Sequence, residues 1–264
     1  MTMLDRLNAH ERHLMQRLRG HPLFQRLPAL GWEELLAVLI QRRFLSLSIV
    51  NVYEFVIDGL HSEAIRATVR SILHEEYPRN TRGVPMASHR EQLFHDLLHL
   101  GASREQILFS EESVTTALVR RQSMEQLQAC LHLNLSDLSL LCFLRFWAEV
   151  LVAVEYESLW PRLSERLNQG AAGDGARSEF FFFHMIHDRR QSDIGEVQLL
   201  GGLTHAQELA GHLVGLIDSE EALHCALAQV DRAWKLKDHF YSQFIHGADL
   251  PWRKTACWPP GGGL

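Results

Sequence analysis

The stretch WEELLAVLIQRRFLSLSIVNVYEFVID, residues 32–58, contains neither proline nor glycine. Its apolar residues recur at intervals of three and four, which is the period of a helix. From Phe44 to Ile57 it is apolar nearly all round, as a helix in the middle of a bundle must be. That run is too short to span a bilayer and begins just after Arg42 and Arg43, so no membrane partner is expected. The reading is one long central helix from about Trp32 to Asp58.

Helical signals continue on both sides. Leu4, Leu7, Leu14 and Leu18 mark a first amphipathic helix, ended by Gly20-His21-Pro22. Ile65, Val69, Ile72 and Leu73 form a stripe that reaches Glu76 and stops at Pro78. After a loop over residues 79–87, Ser88-His89-Arg90-Glu91 is a capping box, which puts His89 at the first helical position. Leu93, Phe94, Leu97 and Leu98 follow as a buried face, and Gly101 ends the helix. Further helices are expected over residues 112–133 and 136–160. Thr204-His205-Ala206-Gln207 repeats the capping box and opens another helix on His205. No strand alternation or hairpin signal competes with these. The chain is therefore read as all-α, a single-domain bundle of about seven to nine helices over residues 1–246. Residues 247–264, with Pro251, Pro259, Pro260 and a run of glycines, form an irregular tail.

Composition narrows the partners. The 264 residues are 46% hydrophobic and 22% charged, an ordinary globular balance. The net charge is −6 and the arginines are scattered, which argues against nucleic acid. The four cysteines have no paired spacing, and the chain starts without an apolar signal core. A reducing cytoplasm is the expected location.

The chemistry concentrates in FFFFHMIHDRRQ, residues 180–191. His184 and Asp188 lie one turn apart on one helical face. An imidazole and a carboxylate on a phenylalanine wall are costly unless their charge is compensated. A metal ion is the simplest compensation, and a plain His–carboxylate hydrogen bond is the alternative. Glu157 shares a stripe with Trp147, Val150, Val154 and Pro161, so it needs a metal or an arginine such as Arg145. The candidate ligands are Glu76, His89, Glu157, His184, Asp188 and His205, with Glu75 competing with Glu76. Outside this set, Glu149 stands first among the other helical carboxylates and imidazoles. Carboxylates with imidazoles and no thiolate suit iron or manganese, and paired ions sharing carboxylates recur in helical bundles. Arg42, Arg43 and Arg145 are candidates for a substrate carboxylate or for salt bridges.

The order of these residues resembles the heme-oxygenase-like diiron oxidases and oxygenases, whose helical fold is that of TenA-, PqqC- and CADD-like proteins. The likeness lies in Glu75-Glu76-Tyr77 followed by His89, in Tyr156-Glu157-Ser158-Leu159-Trp160-Pro161, and in Phe180-Phe181 with His184 and Asp188. It covers about residues 60–245. The family's last His falls three residues after Asp188, where this chain has Gln191. The role passes to His205 if the glycine-bearing stretch between them is an insertion, and Asp193 then competes with Asp188. The resemblance implies two iron(II) ions, dioxygen as co-substrate, a small amino-acid-, amine- or fatty-acid-like substrate, and an external reductant where the substrate supplies no electrons. No catalytic residue beyond the metal ligands is implied, and a homodimer stays open. The outcomes known in the family are N-oxygenation, desaturation and C–C cleavage, often in secondary metabolism. Metal-free thiaminase-like or PQQ-synthase-like enzymes on the same fold are the alternative, as is a helical protein with a decayed metal site.

Overall fold

The computed structural model describes residues 2–81, 84–168, 178–182, 184 and 204–245. Asp188, Gln191 and Asp193 lie outside them. Helix α1 (Met3–Arg19) opens on a Thr2–Asp5 capping box and buries Leu7, Leu14 and Leu18, and the short α2 (Pro22–Arg26) follows.

The central stretch forms two helices where one was expected. Helix α3 (Trp32–Leu47) and helix α4 (Ile49–Gly59) meet at Ser48. The Ser48 hydroxyl donates to the Leu45 carbonyl at 2.8 Å. A serine that bonds a nearby carbonyl competes with the helical ladder, and here the α-helix is interrupted. By length and composition the span Trp32–Gly59 could cross a membrane, yet 56% of its apolar window is buried inside the fold, as in a core helix.

Helix α5 (Glu63–Leu73) tightens into a 3₁₀ turn, His74–Glu76. The loop expected next contains a small antiparallel hairpin, β1 (Arg79–Thr81) with β2 (Val84–Met86), in which Arg79 faces Met86. Helix α6 (His89–His99) starts at the predicted capping box and ends at Gly101, whose φ of 101° is the left-handed conformation glycine tolerates best.

After α7 (Arg104–Leu108) and α8 (Val114–Cys130), helix α9 (Ser136–Leu144) runs through the middle of the protein. It passes without a break into a π-helical turn, Arg145–Val150, and then into α10 (Leu151–Leu167). Every residue of that π turn is buried. Helix α10 continues past Pro161 instead of ending at Trp160. Helices α11 (His205–Leu216) and α12 (Glu220–Ser242) complete the bundle, with α12 packed on α9, α1 and α8. Leu140, Phe143, Phe146 and Leu151 are fully enclosed between these layers. Each such side chain contributes about 1.5–3 kcal/mol of burial free energy.

Candidate active site

Several elements meet at a cavity of about 370 Å³. The 3₁₀ turn after α5 supplies Glu76, the first turn of α6 supplies His89, and the π turn supplies Glu149. His205, at the first position of α11, and His184 complete the polar wall. Much of the rest is apolar: Leu45, Ile49, Val50, Leu93, Val152 and Phe180.

The polar groups are paired across the elements. Glu76 Oε1 lies 3.1 Å from His89 Nδ1. Glu75 Oε2 is 3.3 Å from His205 Nε2, and Glu149 Oε2 is 3.5 Å from His205 Nδ1. A 3₁₀ turn advances about 120° per residue, so the neighbours Glu75 and Glu76 reach different histidines. The two carboxylates that competed in the sequence are both used. Tyr53, buried on α4, donates its hydroxyl to Glu149 Oε1. The His89 and His184 rings sit 4.7 Å apart, centre to centre. His184 Nδ1 donates to the Phe180 carbonyl at 2.7 Å, because a carbonyl can only accept. Neutral His184 therefore carries its basic lone pair on Nε2, the arrangement found in metal-binding histidines.

His205 is enclosed by carboxylates. Burial works against its charge, but hydrogen bonds to Glu149 and Glu75 outweigh it and raise the pKa to about 11. It stands as an imidazolium clamping two carboxylates. Arg145 anchors the same corner: its Nε donates to the Ala206 carbonyl at 3.1 Å and its Nη1 to Glu11 at 2.7 Å. Arg145 is thus occupied by structure and is not a cavity-lining residue, whereas Arg42 is.

Glu157 has an arginine partner, the alternative to a metal that the sequence left open, but the arginine is Arg19 and not Arg145. Glu157 meets Arg19 at 2.9 Å at the protein surface and does not line the cavity, where Glu149 takes its place. The cause is the π turn. Its wider turn lets Trp147, Ala148 and Glu149 all face the cavity, and the stripe continues through Val152 and Tyr156. A stripe drawn at regular α spacing from Trp147 through Val154 to Glu157 ignores that shift. Asp188 lies outside the described residues, as noted. Among the described residues, no group of three or more His, Cys, Asp and Glu side chains is gathered around one point as metal ligands, and the contacts given above are pairwise.

The segment bearing His184 is held by a residue the sequence did not single out. Asp96 of α6, fully buried, accepts hydrogen bonds from the N–H groups of Glu179, Phe180 and Phe181 at 3.0–3.1 Å and from Ser178 Oγ at 2.6 Å. It caps the turn on which His184 sits and ties it to the helix of His89. Burial raises the Asp96 carboxyl above its usual range, and these four donors oppose the shift. Asp96→Ala strands buried donors and is expected to cost about 1–3 kcal/mol in urea unfolding. Faster amide exchange at Phe180 and Phe181 would accompany it. Unchanged protection at those amides would show that the cap does not hold the segment.

A buried charge network reaches the cavity wall through Arg42 and Lys237. Glu155 Oε2 accepts from Arg42 Nε at 2.7 Å, and Glu155 Oε1 lies 2.7 Å from Lys237 Nζ. Burial lowers the Lys237 pKa to about 8 despite Glu155, against 10.5 for an ordinary lysine. Between these pH values the unfolded chain binds a proton the folded chain lacks, so stability rises with pH across that window. Lys237→Met should abolish this rise. Urea unfolding of metal-free protein at pH 8 and pH 10 measures it, and equal slopes in wild type and variant would contradict it.

Compared with known proteins, the chain matches no protein-family model and no curated sequence. Solved structures do match it. A CADD-like protein of unknown function from Nostoc punctiforme PCC 73102 superposes with a TM-score of 0.66 at 16% identity, over 92% of this chain and 98% of that one. A second crystal structure of a CADD-like protein from that organism gives 0.62 at 15% identity, over 92% and 95%. A TenA family transcription regulator from Silicibacter sp. TM1040 gives 0.58 at 12% identity, over 93% and 97%. The fold is that of these CADD-like and TenA family helical structures. At these identities the likeness concerns the fold alone.

Proposed function

We propose that the cavity is the active site of a non-heme diiron oxidase or oxygenase acting on a small metabolite. One observation carries this reading: Glu76, Glu149, His89, His184 and His205 face one cavity with largely apolar walls, and Glu75 reaches in behind His205. The donor set fits iron in kind, since carboxylate oxygens and imidazole nitrogens are present without a thiolate. Glu75, Glu76, Glu149, His89, His184 and His205 would hold the metal, with Asp188 as a further candidate. Two iron(II) ions bound there would supply the electrons that activate dioxygen. The chain's own work is to hold the ligands and exclude water. Tyr53 orients the Glu149 carboxylate, Asp96 fixes the His184 turn, and Arg145 fixes the first turn of α11. His205 would have to lose its proton to serve as a ligand, which would free Glu75 and Glu149 from the clamp.

A thiaminase-like reading needs a reactive thiolate in the pocket. No cysteine lines the cavity among the described residues, and burial raises the Cys130 thiol to about 11. The test is anaerobic reconstitution with iron(II), an iron count, and an optical spectrum followed as oxygen is admitted. Two irons per chain and an oxygen-dependent absorption change are expected. A chain that takes up no iron would sink the reading.

A further inference from the structure

The most exposed large apolar side chains among the described residues are Val114, Phe109 and Leu108, at 87%, 78% and 52%. They follow one another along residues 108–114, from the end of α7 through a loop to the first position of α8. Single exposed apolar residues need no explanation, but a local group of them marks an interaction surface. The loop is pinned from behind by Gln41 of α3, which donates to the Glu111 carbonyl at 2.8 Å and accepts from the Ser113 N–H at 2.9 Å. Glu112 pairs with Arg120, whereas the exposed Glu111 has no ion-pair partner among the described residues.

The described part of the last helix ends beside this patch. Gln243, at the C-cap of α12, accepts from Ser113 Oγ at 2.5 Å, and the Ile245 carbonyl accepts from Arg26 at 2.6 Å. Ser113 precedes Val114 directly, and Phe109 is no more than roughly 14 Å of extended chain away. The chain from Ile245 to Trp252 reaches up to ~25 Å when extended. It carries what the patch lacks: Leu250, Pro251 and Trp252 are apolar, Arg253 and Lys254 are basic, and residues 250–258 contain no acid.

We propose that residues 250–254 dock on this patch of their own chain, with Trp252 against Phe109 and Val114 and Lys254 paired to Glu111. Residues two apart share a face of an extended segment, so Lys254 accompanies Trp252. A second copy meeting the patch through its own would set Glu111 against Glu111, which the basic segment avoids. The contact uses neither the cavity nor a metal, so it stands or falls separately from the proposed function.

The test is fluorine NMR of the full chain labelled with 5-fluorotryptophan, with Trp252→Phe identifying the Trp252 signal. The signal should lie away from that of a labelled synthetic peptide of residues 248–256, and dilution should not move it. Phe109→Ser, at an exposed position, should lower the ratio of docked to free signal about tenfold or more, as loss of a central aromatic contact does. Lys254→Glu should shift the signal in the same direction, and adding Glu111→Lys should bring it back. A wild-type signal at the free-peptide position overturns the proposal and leaves the patch open to another molecule. A signal unmoved by Phe109→Ser overturns it as well. So does one that moves on dilution, because the segment then sits on a second copy.

Discussion

Glu149→Gln should lower the affinity for iron(II) by about tenfold or more, while Glu157→Gln leaves it within the error of measurement. Even a residue that only orients a metal ligand is worth about 10- to 100-fold in metal affinity. Glu149 is in a stronger position than that. It lies in the cavity wall, buried, between the Tyr53 hydroxyl and the His205 ring. Glutamine keeps its shape and its contact with Tyr53 but removes the charge. Glu157 instead faces Arg19 at the surface, where an ion pair is worth about 0–1 kcal/mol. Anaerobic titration with iron(II) decides between the two carboxylates. If Glu157→Gln loses iron and Glu149→Gln does not, the polar wall described here is not the metal site.

That contrast shows where the sequence was legible. His89 and His205 could be placed because each follows a capping box, a local signal that depends on no distant contact. The all-helical architecture was readable from apolar spacing for the same reason. Glu149 ranked behind Glu157 because a π turn has no compositional signature, and the Arg145–Val150 turn changes which later residues share a face. Ser48 ended a helix that propensity alone would carry on. Glu75 and Glu76 looked like rivals because a helical stripe admits one of two neighbours, whereas the 3₁₀ turn serves both. Asp96 and Lys237 act through partners distant in sequence, Asp96 on the Ser178–Phe181 backbone and Lys237 on Glu155, and no spacing rule reaches that far.

The largest effect on stability is expected from Glu155→Gln, at about 3–5 kcal/mol of unfolding free energy. Glu155 is fully buried and receives both Arg42 and Lys237. Burial alone would raise its carboxyl, but the charges of Arg42 and Lys237 outweigh that and hold it below the usual glutamate range. Its contribution is therefore full above the ordinary glutamate pKa of 4.5 and is lost as pH falls through the depressed folded value. Removing the charge leaves two cations facing each other in the core. Removing Lys237 as well leaves only Arg42, so the double variant Glu155→Gln/Lys237→Met should be more stable than Glu155→Gln alone. Urea unfolding of the four proteins completes the cycle, and simple additivity would show that the three charges do not act as one network.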